Sequence, residues 1–417
     1  MMKPGVPANR TSRKQQICII AIFRNEAPYI IEWIAHHRLL GIQEFYIADN
    51  DSDDESQQIL KKLKEAGYCE WIPWITEGDV KPQLPAYRKL LSMLPEPTDW
   101  VAFLDADEYI WPTSNISIGD FLRSIPEKTG AIAMNWAVYG SSEHYNYTPE
   151  PSTIRFTWHA DKTRNANLNF KTLARPNAII DFTCPHNAIL KEGYHHIHTD
   201  STPKTSLLPA DRPEEYKHCQ SQSLCWEFFR INHYIIRSWS EFIQKKAQRG
   251  RAYSRSALKS IYFWGHDFHD KEEIPSPAYT TALETEIDRI ERAIGLTTTN
   301  KPYCSIACTP PAIVGNIDSV ETTDKSLIIC GWALEWTRYP INEFELWLNG
   351  DRMTEVTHIQ PMRRADVKVH HEKANEWCGF KITCTLNPGT RIEILQIVGI
   401  LTNSVRSEPL VWTTYHQ

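Results

Sequence analysis

The sequence predicts an α/β protein. A doubly wound, mostly parallel sheet forms its larger part, and a small all-β sandwich follows. Three observations carry this reading. Apolar runs that read as buried strands alternate four times with helical periods before residue 105. Three of those strands end in polar or acidic clusters, and in an open α/β sheet the carboxyl ends of the strands face the ligand crevice. Beyond residue 311 the helical periods give way to short strand runs divided by turn dipeptides.

Composition sets the bounds. A chain of 417 residues has room for about two to three domains with sizeable cores. Hydrophobic content of 41% and charged content of 23% are those of a soluble globular protein. The net charge of −6 gives no footprint for nucleic acid. Fifteen Trp and 17 Tyr suit sugar stacking as well as cores. The ten Cys fall singly in apolar strands or at scattered positions and, without a signal peptide, read as reduced cytoplasmic thiols. Cys304 and Cys308 lack the second pair that a structural zinc would require. No run approaches the roughly 20 apolar residues of a membrane span, so the expected protein is cytoplasmic, at most peripheral at the inner face of a membrane.

Residues 1–16 are polar and basic and are expected to be flexible. Ile17 to Phe23 is a continuous apolar run, as a strand covered on both faces would be, and it ends in Arg24-Asn25-Glu26. Pro28 opens a helix with Ile30, Trp33, Ile34 and Leu40 in period and Gly41 as its stop. A second strand, Glu44 to Ala48, runs into Asp49-Asn50-Asp51-Ser52-Asp53-Asp54. Those acids fit a helix start by capping and charge, and Asp49 and Asp51 also lie nearest the crevice. Ile59, Leu60 and Leu63 mark the next helix. Cys69 to Ile75 is the third strand, Leu84 to Leu94 the third helix, and Trp100 to Leu104 the fourth strand. A fifth apolar strand runs from Ala131 to Tyr139.

The fourth strand ends in Asp105-Ala106-Asp107-Glu108. Two Asp separated by one residue can each present an oxygen to a hard divalent cation, which then neutralises a diphosphate. No Gly-x-Gly-x-x-Gly follows the first strand and no Gly-x-x-x-x-Gly-Lys-Ser/Thr occurs, which disfavours a dinucleotide-binding dehydrogenase or a P-loop enzyme.

Several spaced motifs, in order, resemble one family. They are Ile22-Phe23-Arg24-Asn25-Glu26-Ala27-Pro28-Tyr29, Glu32-Trp33, His37, Gly41, the stretch Phe45 to Asp54, and Phe103 to Glu108. Trp136 to Ser142, Lys171 to Pro176, and His233-Tyr234 with Ser238, Glu241-Phe242, Lys245 and Arg249-Gly250 continue the match. Together they resemble nucleotide-sugar glycosyltransferases of the metal-dependent, Rossmann-like GT-A type, family 2-like or family 92-like, over about residues 17 to 250. The resemblance implies transfer of a sugar from a nucleotide donor, UDP-linked, to a glycan or lipid-linked glycan acceptor, in surface polysaccharide biosynthesis.

The same resemblance implies roles. Arg24, Asn25, Glu26 and Asp49 stand where such enzymes hold the nucleoside. Asp105 and Asp107 match the Asp-x-Asp motif that binds ribose and a Mn²⁺ or Mg²⁺ bridging the diphosphate, and His233 matches the histidine that completes the metal shell. Lys171 and Arg175 are expected to neutralise the leaving diphosphate, to line the acceptor site, or to form surface salt bridges. Inversion needs a base for the acceptor hydroxyl proton. Glu143, in the loop after the fifth strand, is the first candidate, with His144 and Asp161 behind it. A catalytically silent glycan-binding or scaffold protein on the same fold is the competing reading.

His186, His196 and His198 make a His-rich middle, but no Cys or acid is spaced to complete a zinc site. Trp239 to Lys259 reads as a basic helix, suited to closing the donor site or to resting on an anionic membrane surface. Leu283, Ile287, Ile290 and Ile294 stripe a later helix that Gly295 ends. The expected boundaries are a catalytic domain over 17–296, a Thr/Pro-rich linker over 297–311 and a β-sandwich over 312–417. In the last, Gly315-Asn316-Ile317-Asp318, Gly331-Trp332-Ala333, Arg364-Ala365-Asp366-Val367 and Gly379-Phe380 resemble an accessory β-domain of bacterial glycosyltransferases, for glycan binding or oligomerisation.

Overall fold

The computed structural model describes residues 14–417 except 77–79, 145–146, 208–217, 250–261, 264, 297–312, 324, 336–338, 342, 354–355, 372–373, 401–405 and 414–417. Two compact units emerge: Met1–Lys259 with His266–Ala307, and Ser260–Gly265 with Cys308–Gln417. The predicted linker over 297–311, with Cys304 and Cys308, and most of the predicted flexible terminus lie outside the described residues.

The first unit begins with β1 (Ile17–Phe23), α1 (Ile30–Leu39), β2 (Glu44–Asp49), α2 (Ser56–Glu65), β3 (Glu70–Pro73), α3 (Gln83–Leu91) and β4 (Trp100–Leu104). Both β1 and β4 are buried along their whole length, which is why their sequences run apolar without alternation. All pairings among β1 to β4 are parallel, so Asn25, Asp49 and Asp105 leave one edge together.

Next come β5 (Glu108–Pro112), α4 (Ile118–Ser124), β6 (Thr129–Val138), α5 (Ser152–Arg155), β7 (Trp158–His159), β8 (Phe170–Ala174), β9 (Ile179–Cys184) and β10 (Asn187–Leu190). Then follow β11 (His195–His198), β12 (Ser206–Leu207), β13 (Gln220–Ser221), β14 (Phe229–His233) and α6 (Trp239–Arg249). Among the described residues the main sheet runs β3-β2-β1-β4-β8-β6-β14-β5, with β11 beside β6. The GT-A-type core, Rossmann-like and mostly parallel, is therefore present. Two strands depart from the simple alternation. β8 is inserted antiparallel between β4 and β6, and β5 pairs antiparallel with β14. Lys171 interrupts the apolar run of β8, which hides that strand from a periodicity reading.

The second unit is the predicted sandwich. One antiparallel sheet holds Ile313–Thr322, Ser326–Glu335, Gly379–Thr385 and Val356–Met362; the other holds Glu343–Leu348, Ile394–Ile400 and Arg406–Thr413. Leu327, Ile329, Phe344, Leu346, Phe380, Ile382, Leu395 and Ile397 form its core. Its motif residues are packing devices. A Cβ on Gly331 would lie 2.3 Å from the carbonyl of Asn316, and Arg364 forms ion pairs with both Asp318 and Asp366.

Candidate functional site

The turn after β4 is held from beneath by α1. The buried indole N–H of Trp33 donates to the carbonyls of Asp105, at 3.2 Å, and Glu108, at 2.9 Å. Glu108 in turn accepts from the Asp105 amide at 2.8 Å. Lys171, wholly buried in β8, places its ammonium 2.9 Å from Asp105 Oδ2 and 3.2 Å from Glu108 Oε2. Gln83 donates to Asp105 Oδ1 at 2.7 Å. Burial opposes the charge on Lys171, but Asp105 and then Glu108 hold its pKa well above the ordinary lysine value. Burial also pushes the Glu108 carboxyl up to about 8, against the pull of Lys171. The Lys171 ammonium is thus shared between Asp105 Oδ2 and Glu108 Oε2. Glu108 Oε1 has no hydrogen-bond partner among the described residues.

Asp107 faces the other way. Its Oδ2 lies 2.6 Å from the Lys246 ammonium and its Oδ1 3.4 Å from His233 Nε2. Burial would raise its pKa; Lys246 first, then His233 and Arg237, hold it well below the usual carboxylate range. His233 ends β14 between β6 and β5, with Trp136 edge-on to its ring at 4.1 Å. Burial lowers the His233 pKa despite Asp107, so a neutral imidazole faces the carboxylate. Arg237 packs over the Tyr29 ring at 3.4 Å and donates to the Ala106 carbonyl at 3.1 Å. Lys245 and Arg237 both pair with Glu26. These cations meet the acids because α6 is anchored at its first turn. There the wholly buried Glu241 accepts two hydrogen bonds from Arg155, at 2.9 and 3.0 Å, and one from Tyr29 at 2.8 Å.

The predicted nucleoside residues share the neighbouring strand ends. Arg24 is exposed at the end of β1, and Asn25 adopts φ 54°, with its amide donating to Ser52 Oγ at 2.8 Å. Asp49 is buried and accepts from the Ser52 hydroxyl at 2.5 Å and from Gln57 at 2.9 Å, so its carboxylate orders the loop into α2. Asp51 is exposed at φ 55°.

The base candidates divide. Glu143 is exposed on the loop after β6, at the edge that carries His233, and Ser142 and Glu143 hold φ of 50° and 64°. Such conformations are costly for non-glycine residues and persist where neighbours enforce them. Asp267 does so, accepting from the Ser141 amide at 2.6 Å, and so does Ser142 Oγ, which accepts from the amides of Thr157 and Trp158. His144 is packed edge-on to Phe156, its carbonyl accepting from Trp239. Asp161 caps its own turn through Thr163, whose hydrogen bonds lower the Asp161 pKa. Arg175 is not brought to this edge. It donates to the Thr129 carbonyl at 3.0 Å and stacks on Trp100, the first residue of β4, at the opposite end of the sheet. Lys171 lies beneath the turn, wholly buried and paired with Asp105, and not on the surface.

Sequence reading missed Gln83, Glu108, Arg237 and Lys246. Lys246 had a signal, since it lies in the basic stretch expected over the donor site.

A divalent cation is tested by these donors. Among the described residues no three His, Cys, Asp or Glu side chains gather to hold one. Asp105, expected in the metal shell, gives its oxygens to Gln83 and Lys171 instead. Asp107 and neutral His233 do fit, because Mg²⁺-type sites are built from one or two protein ligands completed by substrate phosphates and water. An ion there would compete with Lys246 for Asp107.

The sheet carries these acids at its carboxyl edge, where open α/β sheets bind their ligands. Residues 13–206 match the model of Glycosyltransferase family 92. A family 92 protein of Oryza sativa subsp. japonica is 25% identical over 280 residues, covering 66% of this chain and 40% of the relative. One of Arabidopsis thaliana is 26% identical over 257 residues, covering 58% of this chain and 38% of the relative. The chain therefore spans about two fifths of the curated relatives it matches. The crystal structure of S. aureus TarS 1–349 in complex with UDP-GlcNAc is similar at 15% identity and a TM-score of 0.30, covering 69% of this chain and 74% of that one. Among the described residues no helix is long and apolar enough to cross a membrane.

Proposed function

We propose that this chain transfers a sugar, with inversion, from a nucleotide donor, UDP-linked, to a hydroxyl of a glycan or lipid-linked glycan in polysaccharide biosynthesis. The observation that carries the reading is the cluster at Asp107: a carboxylate, a neutral imidazole and the Lys246 ammonium meet at a parallel-strand edge in a segment that matches a glycosyltransferase family. Arg24, Asn25 and the loop ordered by Asp49 form the wall for the nucleoside. Lys245, Lys246 and Arg237 supply positive charge where a diphosphate would lie, and α6 fixes them there. Asp107 and His233 would hold Mn²⁺ or Mg²⁺, which when bound supplies charge stabilisation to the departing nucleotide. Glu143, exposed on the loop after β6, takes the acceptor proton in this reading. Peripheral contact with an anionic membrane surface through the basic stretch Trp239 to Lys259, whose part beyond Arg249 lies outside the described residues, belongs to the same proposal.

The test is Asp107→Ala. With UDP-sugars, wild-type protein should hydrolyse or transfer the donor in a Mn²⁺-dependent way, and the variant should lose this while keeping its far-UV spectrum. Wild-type-like turnover by the variant would overturn the reading. Failure of wild-type protein to turn over or bind any nucleotide sugar would favour the silent glycan-binding protein.

A further inference from the structure

Cys184 closes β9 and Cys219 immediately precedes β13, 35 residues apart in sequence, yet their sulfurs lie 2.9 Å from each other in the interior. That is well inside the van der Waals contact of two sulfur atoms. Both are thiols in this structure, and no other two of the eight cysteines among the described residues are recorded in sulfur-to-sulfur contact. The surroundings favour reaction at this pair. The Cys219 thiol donates to Cys184, and this, more than burial opposes it, lowers the Cys184 pKa to about 7. Burial instead pushes Cys18 up to about 11 and Cys69 up to about 12, which leaves those thiols inert. Lys204 is packed nearby, its ammonium 2.9 Å from both Asn187 Oδ1 and Ser206 Oγ.

We propose that Cys184 and Cys219 are a disulfide-forming site that takes a low-molecular-weight disulfide as its oxidant. Cys219, the less buried of the two at 6% exposure, attacks one sulfur of the external disulfide. A Cys219–thiol mixed disulfide forms, the external S–S bond breaks, and the leaving thiolate takes up the proton that Cys219 gives up. The Cys184 thiolate then attacks the Cys219 sulfur and expels the second small thiolate, which takes up the remaining proton. Two protein thiols are oxidised by two electrons, and one small disulfide is reduced to two thiols. The bond ties the hairpin of β9 and β10 to β13. That hairpin turns at His186, whose Nδ1 bonds the Phe170 carbonyl at 2.8 Å and whose ring packs 5.2 Å from Trp136, the residue edge-on to His233.

The experiment uses the full chain, folded, with oxidised glutathione as the probe. After oxidation the protein is denatured, alkylated with N-ethylmaleimide, digested and read by mass spectrometry. The expected result is a crosslinked peptide pair joining Cys184 to Cys219, with alkylation of both falling at least about tenfold while Cys18 and Cys69 stay fully alkylated. In the folded Cys184→Ser variant the reaction should stop at glutathione bound to Cys219. Full alkylation of Cys184 and Cys219 after oxidation of the folded wild type would overturn the proposal, as would a crosslink that joins either one to a different cysteine.

Discussion

Removing Arg155 should destabilise the first unit more than any surface change, because Arg155 is the buried counter-ion of the residue that anchors α6. The Arg155–Glu241 pair has 1% side-chain exposure on both partners. Burial alone would raise the Glu241 pKa; Arg155 first, then Arg237 and Ser238, bring it from the ordinary 4.5 down to about 2. A drop of that size corresponds to about 3 kcal/mol of folded-state stabilisation of the charged form. Breaking a buried pair by removing one partner independently suggests about 3–5 kcal/mol. Arg155→Met should therefore lower the unfolding transition of the first unit by about 6–20 °C, at roughly 2–4 °C per kcal/mol for a unit of this size. The sign of the pH dependence follows from the depressed pKa. The Glu241 contribution is fully present above about pH 4.5 and is lost as pH falls toward 2. Wild-type protein should thus lose stability across that window faster than Glu241→Gln does. The double variant Arg155→Met/Glu241→Gln should recover much of the loss, since no unpaired buried charge remains. Urea denaturation followed by tryptophan fluorescence, at several pH values between 3 and 7, measures all of this. A cost for Arg155→Met below about 1 kcal/mol, or parallel pH profiles for wild type and Glu241→Gln, would refute the reasoning.

Two further outcomes concern the site. Lys246→Met removes the ammonium that an ion must displace from Asp107, so Mn²⁺ should bind about 10- to 100-fold more tightly by calorimetry, a charged hydrogen bond being worth about 1.5–3 kcal/mol; unchanged or weaker binding would show that Lys246 and the ion do not share Asp107. Glu143→Gln should leave nucleotide-sugar affinity near wild type and slow transfer by about 10² to 10⁴, the worth of general base catalysis. Paired calorimetry and turnover separate this from a binding role, and unchanged turnover would move the base to His144 or Asp161.

The sequence by itself determined the parts that depend on local grammar. The runs of β1 and β4 are apolar throughout because both faces of a parallel strand are covered, and that pattern is visible without coordinates. The acids at Asp49 to Asp54 and Asp105 to Asp107 follow β2 and β4 directly, so their shared edge is legible from alternation alone. The sandwich is equally local, since Asn349-Gly350 and Asn387-Pro388-Gly389 mark its turns. What only the tertiary structure decided is which charge meets which. Lys171, a charged residue that reads as surface, is a wholly buried counter-ion because β8 is inserted antiparallel beside β4, and that topology has no signature in periodicity. Arg175, four residues on and just past the end of that strand, is carried to the far end of the sheet by the rise of an extended chain. Asp105 and Asp107 look alike in sequence, yet one meets Lys171 and Gln83 and the other meets His233 and Lys246. The partner each carboxylate meets lies 60 to 140 positions away in the chain, and only the folded topology brings the two together.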